Sequence, residues 1–451
     1  MTFADHIRAT LKLGLPLIGG QLAQVFIGVT DTVMTGWYGV EELAAVAIGS
    51  SYFHLILILG MGFGLAVMPM VASAAAGDDA AQVRRVTRMG LWISLIFAAC
   101  VMPLFWFSEA LLLLAGQTPQ VSADAQTYLR IAGWAIWPGV LLVVLRSHLS
   151  ALERPNIVLW AWVGGVVLNA GVNWVLIFGN LGAPELGIAG AAAASVFTHL
   201  LIFAILALYA ARAEGLRDYA LFTRFWRPDW EAMAQVFRLG WPIAVTLLSE
   251  AGLFMATMIM MGWIGTLELA AHGIALQIIS VTFMVHIGLS SAATVRVGRR
   301  WSHNDALGLR RSALAALLLS GLMVAATIVL LIAFAEPLVG LFVDPADPLK
   351  PRIVAIGASL LIVACFFQLV DAAQVMALGL LRGAQDTSVP MVYAFISYWI
   401  IGVPLAYILG FPLGWEGEGI WAGLAIGLAV AGLVLVVRFW RIAKRLDLGP
   451  A

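Results

Sequence analysis

Residues Leu239 to Arg311 repeat residues Leu13 to Arg85 in one gapless register, and that duplication limits the possible folds more than any other feature of the chain. Shifted by 226 positions, Leu13-Gly14-Leu15-Pro16 falls on Leu239-Gly240-Trp241-Pro242. Met34, Gly36, Trp37 and Gly39 fall on Met260, Gly262, Trp263 and Gly265; Glu42 to Ala45 falls on Glu268 to Ala271, and Arg84-Arg85 on Arg310-Arg311. Chance pairing of apolar helices matches scattered Leu and Ala, not a Pro, several Gly, a Trp, a Glu and an Arg pair together. The chain is therefore two homologous halves.

The solvent for most side chains is lipid. Apolar residues make up 62% and charged residues 11%, against roughly 45–50% and about 25% in soluble domains. Twelve apolar runs are each long enough to cross ~30 Å of hydrocarbon as a helix. They are 11–36, 43–73, 86–106, 126–150, 157–179 and 187–211, then 237–263, 269–298, 312–336, 352–382, 388–410 and 418–442. This predicts an all-α integral membrane protein with an N-terminal lobe over 1–211, a charged linker over 212–236 and a C-terminal lobe over 237–451. The first run lacks a small-residue cleavage signature and reads as a span, not a signal peptide. Cys100 and Cys365 stand alone in separate runs and read as small buried hydrophobes.

Of the 25 Lys and Arg, only Arg130, Lys350 and Arg352 fall in outer segments if both termini are cytoplasmic. That asymmetry is the positive-inside pattern. Six spans per half make the two repeats parallel, related by an axis along the membrane normal.

Three acids remain inside the spans: Asp31, Glu250 and Asp371. A carboxylate at mid-bilayer costs about 2.5–3.5 kcal/mol on insertion scales, and no basic partner is expected at their depth. They read either as hydrogen-bonded helix contacts or as groups that bind and release cations in a wet cavity; the second reading is preferred. Gln21, Gln24, Gly28, Asp31 and Thr35 recur at steps of three and four, so one narrow face of the first span is polar. Thr246, Glu250 and Thr257 share a face with Phe254 on the seventh, and Gln368, Asp371 and Gln374 make a stripe on the tenth. Under the 226-residue shift Glu250 meets Gln24 and Asp31 meets Thr257, so each half keeps an acid where the other has an amide or hydroxyl. One site per half is the expectation. Asn169 and Asn173 are the uncharged candidates for cavity lining, with interhelical hydrogen bonding as the alternative; Gln277 and Ser280 stand similarly. His54, His199 and His286 fit packing at least as well as proton relay. Pro16 and Pro242, at equivalent points, each remove a backbone hydrogen bond and predict hinges in the helices carrying Asp31 and Glu250.

These residues resemble the multidrug and toxic compound extrusion (MATE) family, most closely its NorM branch, over nearly the whole chain. The resemblance rests on GVTDTVMTGWYG (28–39), LGWPIAVTLLSEAGLF (239–254), QLVDAAQVMALGLLRGAQDT (368–387) and LNAGVNW (168–174). It implies two six-helix lobes around a V-shaped central cleft, and export of lipophilic, mostly cationic compounds in antiport with Na+ or H+ by alternating access. It implies cation binding at Glu250, Asp371 and Asp31, with Na+ held at the first two; the substrate cavity is expected to include Gln24, Asn169, Asn173, Thr257, Gln277, Phe367, Gln368 and Gln374. Where the branch can carry a tyrosine one turn before the aspartate, this chain has Phe367. The loss of an oxygen ligand weakens Na+ coordination, so the coupling ion is Na+ or H+. The implied setting is the inner membrane, as a monomer handling small drugs among membrane lipids, with no cofactor and no nucleic acid. A related lipid-linked oligosaccharide flippase is the alternative, disfavoured by the expected lack of basic residues for a pyrophosphate. An enzyme is excluded on motif grounds, with no His-Glu-x-x-His and no Gly-x-Ser-x-Gly. No phosphate-binding Gly-x-x-x-x-Gly-Lys loop is present, so a gradient must power the cycle.

Overall fold

The computed structural model describes residues 2–446, apart from the side chains of 40–44. Among the described residues all regular structure is helical, and twelve helices are long and apolar enough to cross a membrane. In chain order they are α1 (Phe3–Tyr38), α2 (Val40–Ala76), α3 (Ala80–Trp106), α4 (Pro119–Ala151), α5 (Pro155–Phe178) and α6 (Ile188–Arg212). The second half gives α7 (Trp230–Ile264), α8 (Thr266–Ser302), α9 (Ala306–Gly340), α10 (Lys350–Gly383), α11 (Ser388–Gly410) and α12 (Glu416–Arg445). Several outrun the apolar runs that announced them, because helical hydrogen bonding continues past the point where charged side chains begin. The repeat is visible even in the turns. Asp79 and Asp305, 226 apart, cap α3 and α9 by accepting from Gln82 N and Gly308 N, and each follows a left-handed residue, Asp78 or Asn304.

Two compact units emerge, and their boundary differs from the expected one. One comprises Met1–Ile18 with Val245–Ala451, the other Gly19–Ala244. Each repeat thus lends the opening stretch of its first helix to the other unit, and the chain passes from one unit to the other two residues after Pro16 and two after Pro242. The cause is a pair of backbone approaches that only glycine permits. In the 19–244 unit, a Cβ on Gly62 of α2 would lie 2.5 Å from the backbone N of Ala244 on α7. In the other unit, a Cβ on Gly288 of α8 would lie 2.7 Å from the backbone N of Ile18 on α1. These contacts are equivalent under the repeat, since Gly62 maps to Gly288 and Ile18 to Ala244. Small residues let backbones touch where lipid offers no hydrophobic drive for helix association.

The segment expected as a linker is a docked element. From Trp230 onward it already belongs to α7. Before that, Trp92 of α3 donates its Nε1 hydrogen to Phe225 O at 2.8 Å and stacks on the Phe225 ring, while Arg88 donates to the carbonyls of Thr223 and Arg224. Leu216 and Leu221 are buried. Polar composition was a poor guide here, because the charges of this segment point outward while a few apolar side chains and carbonyls hold it in place.

Asp229 caps α7 through Ala232 N and takes a hydrogen bond from Arg85. That bond holds its carboxyl below the usual range, so the contact contributes stability above that range and loses it as pH falls through the lowered value. Arg85 is 39% exposed, which limits the pair to about 1 kcal/mol or less. Asp229→Asn is expected to leave the fold intact but speed protease cleavage within 213–229 at neutral pH; unchanged cleavage would show that Trp92 and Arg88 alone hold the segment.

Cys365 is half-buried, but Cys100 is exposed, a correction to its reading as a buried hydrophobe. It faces away from its unit on the outer surface of α3, where an apolar thiol side chain needs no packing partner if lipid is the solvent.

Candidate functional site

The three intramembrane acids fall in different surroundings. In the unit built on α7 to α12, Asp371 of α10 is fully buried and Glu250 of α7 is 7% exposed. Their charges lie close enough to repel each other. Neither carboxylate oxygen of Asp371 has a hydrogen-bond partner, nor does Oε1 of Glu250. The amide oxygens of Gln368 and Gln374, on the same helix as Asp371, are also buried without donors. Their amide nitrogens are already engaged: Gln374 Nε2 donates to Tyr398 OH at 2.6 Å, and Gln368 Nε2 donates to Thr282 Oγ1 of α8. Five acceptor oxygens in this unit, on Glu250, Gln368, Asp371 and Gln374, are thus buried without a donor. Buried polar groups are normally paired, and an unpaired buried acceptor costs roughly 1–3 kcal/mol.

Tyr398 was not singled out from sequence. It lies in a seven-residue π-helical segment, Ile396–Gly402, within α11. The widened turn sets a fully buried phenol where its charge would couple to both Glu250 and Asp371. Next to it, Trp399 Nε1 donates to Ser249 O, beside Glu250. A lone Tyr in an apolar run carries no sequence signal, and a π segment has none either. Phe367 sits elsewhere than a cavity wall: it is buried, edge-to-face with Trp421 (5.5 Å) and Phe254 (6.1 Å). Thr257 is also fully buried, its hydroxyl donating to Phe254 O within its own helix. Gln277 is exposed, and Ser280 donates to its carbonyl.

In the 19–244 unit, Asp31 of α1 is satisfied. Asn173 Nδ2 of α5 donates to Oδ1 at 2.6 Å and Ser195 Oγ of α6 donates to Oδ2 at 2.6 Å. Asn173 also donates to Asn169 Oδ1, leaving its own Oδ1 buried without a partner. The structure joins Asp31, Asn169 and Asn173, which the sequence offered separately, and adds Ser195, one hydroxyl among alanines. His199 Nδ1 meets Ser195 O at 2.8 Å; His286 Nδ1 meets Ser320 Oγ at 3.0 Å; His54 is exposed. Gln24 is half-buried on the same face of α1 as Asp31.

One expectation is corrected. Basic side chains do reach the interior of both units. Arg382 of α10 lies near enough to Glu250 for their charges to attract. Arg146 of α4 is 8% exposed and donates to Gln21 Oε1 of α1. Both were assigned to the cytoplasmic edge because they end apolar runs, yet a long flexible guanidinium near a helix end can turn inward as readily as outward. A lack of interior basic residues therefore does not separate this chain from an anion-handling flippase. Among the described residues, no group of three or more His, Cys, Asp or Glu is placed to hold a metal.

The family model described as MatE matches residues 16–175 and again 242–408. The second match begins 226 positions after the first, the register of the internal repeat. The chain is 46% identical over 450 residues to the probable multidrug resistance protein NorM of Rhizobium meliloti (strain 1021), covering 100% of this chain and 96% of that one. It is 43% identical to the protein of the same name from Agrobacterium fabrum, covering 98% of this chain and 95% of that one. In fold it is similar to the eukaryotic MATE transporter AtDTX14, with a TM-score of 0.86 at 19% identity over 98% of both chains.

Proposed function

The chain belongs to the MATE family, and from that premise we propose that it couples multidrug efflux to entry of a cation at Glu250 and Asp371. It is a multi-pass membrane transporter for drugs and not an enzyme. The observation that carries the coupling reading is the buried, donor-less carboxylate of Asp371 beside Glu250. In the outward-facing state a cation or proton neutralises this pair. The neutral pair no longer demands a counter-charge, α7 and α10 repack, and a bound organic cation loses part of its attraction and leaves outward. Return of the pair to its charged form on the cytoplasmic side favours the next substrate. Asp31, already held by two donors, serves the substrate's cationic group. Pro16 and Pro242, each two residues before the chain changes units, supply the bends. The protein lies in the inner membrane as a monomer, with both termini cytoplasmic, in accord with its Lys and Arg distribution.

Proteoliposomes separate the two coupling ions. With purified full-length protein, export of a fluorescent organic cation is measured under a pH gradient without Na+, then under an Na+ gradient at equal pH. We expect a proton gradient to suffice, since protonation alone neutralises a buried pair of carboxylates and requires no fixed set of further oxygen ligands. Transport only with Na+ would assign the site to Na+ instead, and transport under neither gradient would overturn gradient coupling altogether.

A further inference from the structure

Two consecutive residues of α11 reach the two helices that carry the acidic pair. The hydroxyl of Tyr398 accepts from Gln374 Nε2 of α10 at 2.6 Å, one turn from Asp371. Trp399 donates its Nε1 hydrogen to Ser249 O of α7 at 3.2 Å, next to Glu250. Its ring lies against the α7 backbone, since a Cβ on Gly252 would stand 2.7 Å from Trp399 Cζ2. Both residues fall in the π-helical segment Ile396–Gly402. Behind that segment is α12: a Cβ on Gly427 would lie 2.7 Å from Gly402 Cα and 3.0 Å from Ser397 O. Helical π turns mostly occur singly. Here seven residues in that form bridge α10 and α7, backed by a third helix. All of them belong to the unit of Met1–Ile18 with Val245–Ala451.

The phenol has a hydrogen to spare. A tyrosine hydroxyl both donates and accepts, and the Gln374 contact, in which it accepts, is its one hydrogen bond among the described residues. Acceptors with the opposite lack are both oxygens of Asp371, Oε1 of Glu250 and Oε1 of Gln374. Asp371 and Gln374 are three residues apart and therefore neighbours on one face of α10, which places the hydroxyl at the level of the carboxylate. Two arrangements follow. With the pair charged, Gln374 donates to the phenol and the phenol donates to a carboxylate oxygen. With the pair neutralised, that donor is no longer needed; the Gln374 amide turns over and the phenol hydrogen goes to its Oε1. Each arrangement gives a buried acceptor the donor it lacks.

We propose that the Tyr398–Trp399 segment is a strap that converts ion occupancy of the pair into movement of α7. Tyr398 changes hydrogen-bond partner with the charge of the pair, and Trp399, the next residue, carries the shift to the α7 backbone beside Glu250. The proposal deepens the coupling reading above and rests on it. Both are positioning residues for α7 and α10, the helices that repack in the coupling step. Coupling between an ion site and a helix requires a two-state element that both of them bias, and the phenol with its two alternative partners is such an element.

The test uses purified full-length protein in proteoliposomes with ethidium as the probe. Uphill transport is measured under the gradient that drives the wild type, and downhill efflux is measured with no ion gradient. The ratio of the two rates reads coupling independently of how much protein has folded. In Tyr398→Phe, which keeps the ring, the ratio is expected to fall about tenfold or more, the value of one hydrogen bond to a charged group. In Trp399→Phe it is expected to fall several-fold, as for a neutral hydrogen bond. Rings that serve packing alone leave the ratio at its wild-type value, because lost stability lowers both rates together. A wild-type ratio in folded Tyr398→Phe therefore overturns the strap. If Tyr398→Phe does not fold, Trp399→Phe decides by the same criterion. Wild-type protein that moves ethidium downhill but never uphill, under either a pH or an Na+ gradient, would sink the coupling reading itself.

Discussion

Asp371→Asn is expected to cut efflux of a fluorescent organic cation to the level of cells lacking the protein, with unchanged abundance and an equal or higher melting temperature. Glu250→Gln should lose efflux alike, but without a gain in melting temperature, because it removes the carboxylate that attracts Arg382. The two halves of this expectation come from the same observation. Both oxygens of Asp371 are buried without donors, so its charge is a burden on the folded state unless something arrives to neutralise it. An amide of the same size removes the charge and brings an N–H2 group into a unit that has three further acceptors without donors, on Glu250, Gln368 and Gln374. Stability therefore holds or rises while the group that exchanges ions is gone. A purely structural carboxylate gives the opposite pattern, with lost stability and little specific loss of transport. Efflux counted per molecule of folded protein separates the two, and full transport by either variant would remove the pair from the coupling step. Substrate affinity supplies a second reading. If ion and drug weaken each other's binding, the relation is reciprocal, so the substituted proteins should bind drug with little dependence on pH or Na+.

The second large effect is expected at Gly62 and Gly288. Gly62→Val and Gly288→Val should each lower the melting temperature markedly, because over-packing a site with no room costs roughly 1–3 kcal/mol or more of stability. The added Cβ meets backbone, not a side chain that can rotate away. Because the two sites are equivalent under the repeat, the two losses should be similar in size. Gly273→Ala on α8 is the control: an added Cβ there meets nothing within 4 Å, and Ala is the better helix former by about 1 kcal/mol, so this change should be neutral or stabilising. Equal tolerance of all three substitutions would show that α1 and α7 are not held by these contacts. The same passages contain Pro16 and Pro242, and their replacement by Ala is expected to slow transport without reducing expression.

How much was legible in the sequence depended on the physical signal each feature leaves. The helices were legible because lipid demands long apolar runs, and their order because the repeat copies one set of turns onto another. Asp31, Glu250 and Asp371 stood out because a charge in an apolar run is costly wherever it points. Asn169 and Asn173 stood out by their spacing on one helix face. Ser195 and Tyr398 did not, since a single hydroxyl in an apolar helix gives no sign of whether it faces a partner. Arg146 and Arg382 were visible but misplaced, because counting charges along a chain cannot tell which way a long side chain bends at a helix end.

The sequence by itself determined the class of protein, the number of spans, the duplication and the three acids, since each follows from what lipid will tolerate in any arrangement of these helices. Tertiary structure alone decided that Asp31 is satisfied and Asp371 is not, that residues 213–229 are docked, and that α1 and α7 change units just past their prolines. Those facts depend on which helix faces lie against each other, and a hydrogen bond or a backbone contact exists only once two distant stretches meet at about 3 Å. Composition and periodicity carry no record of that meeting.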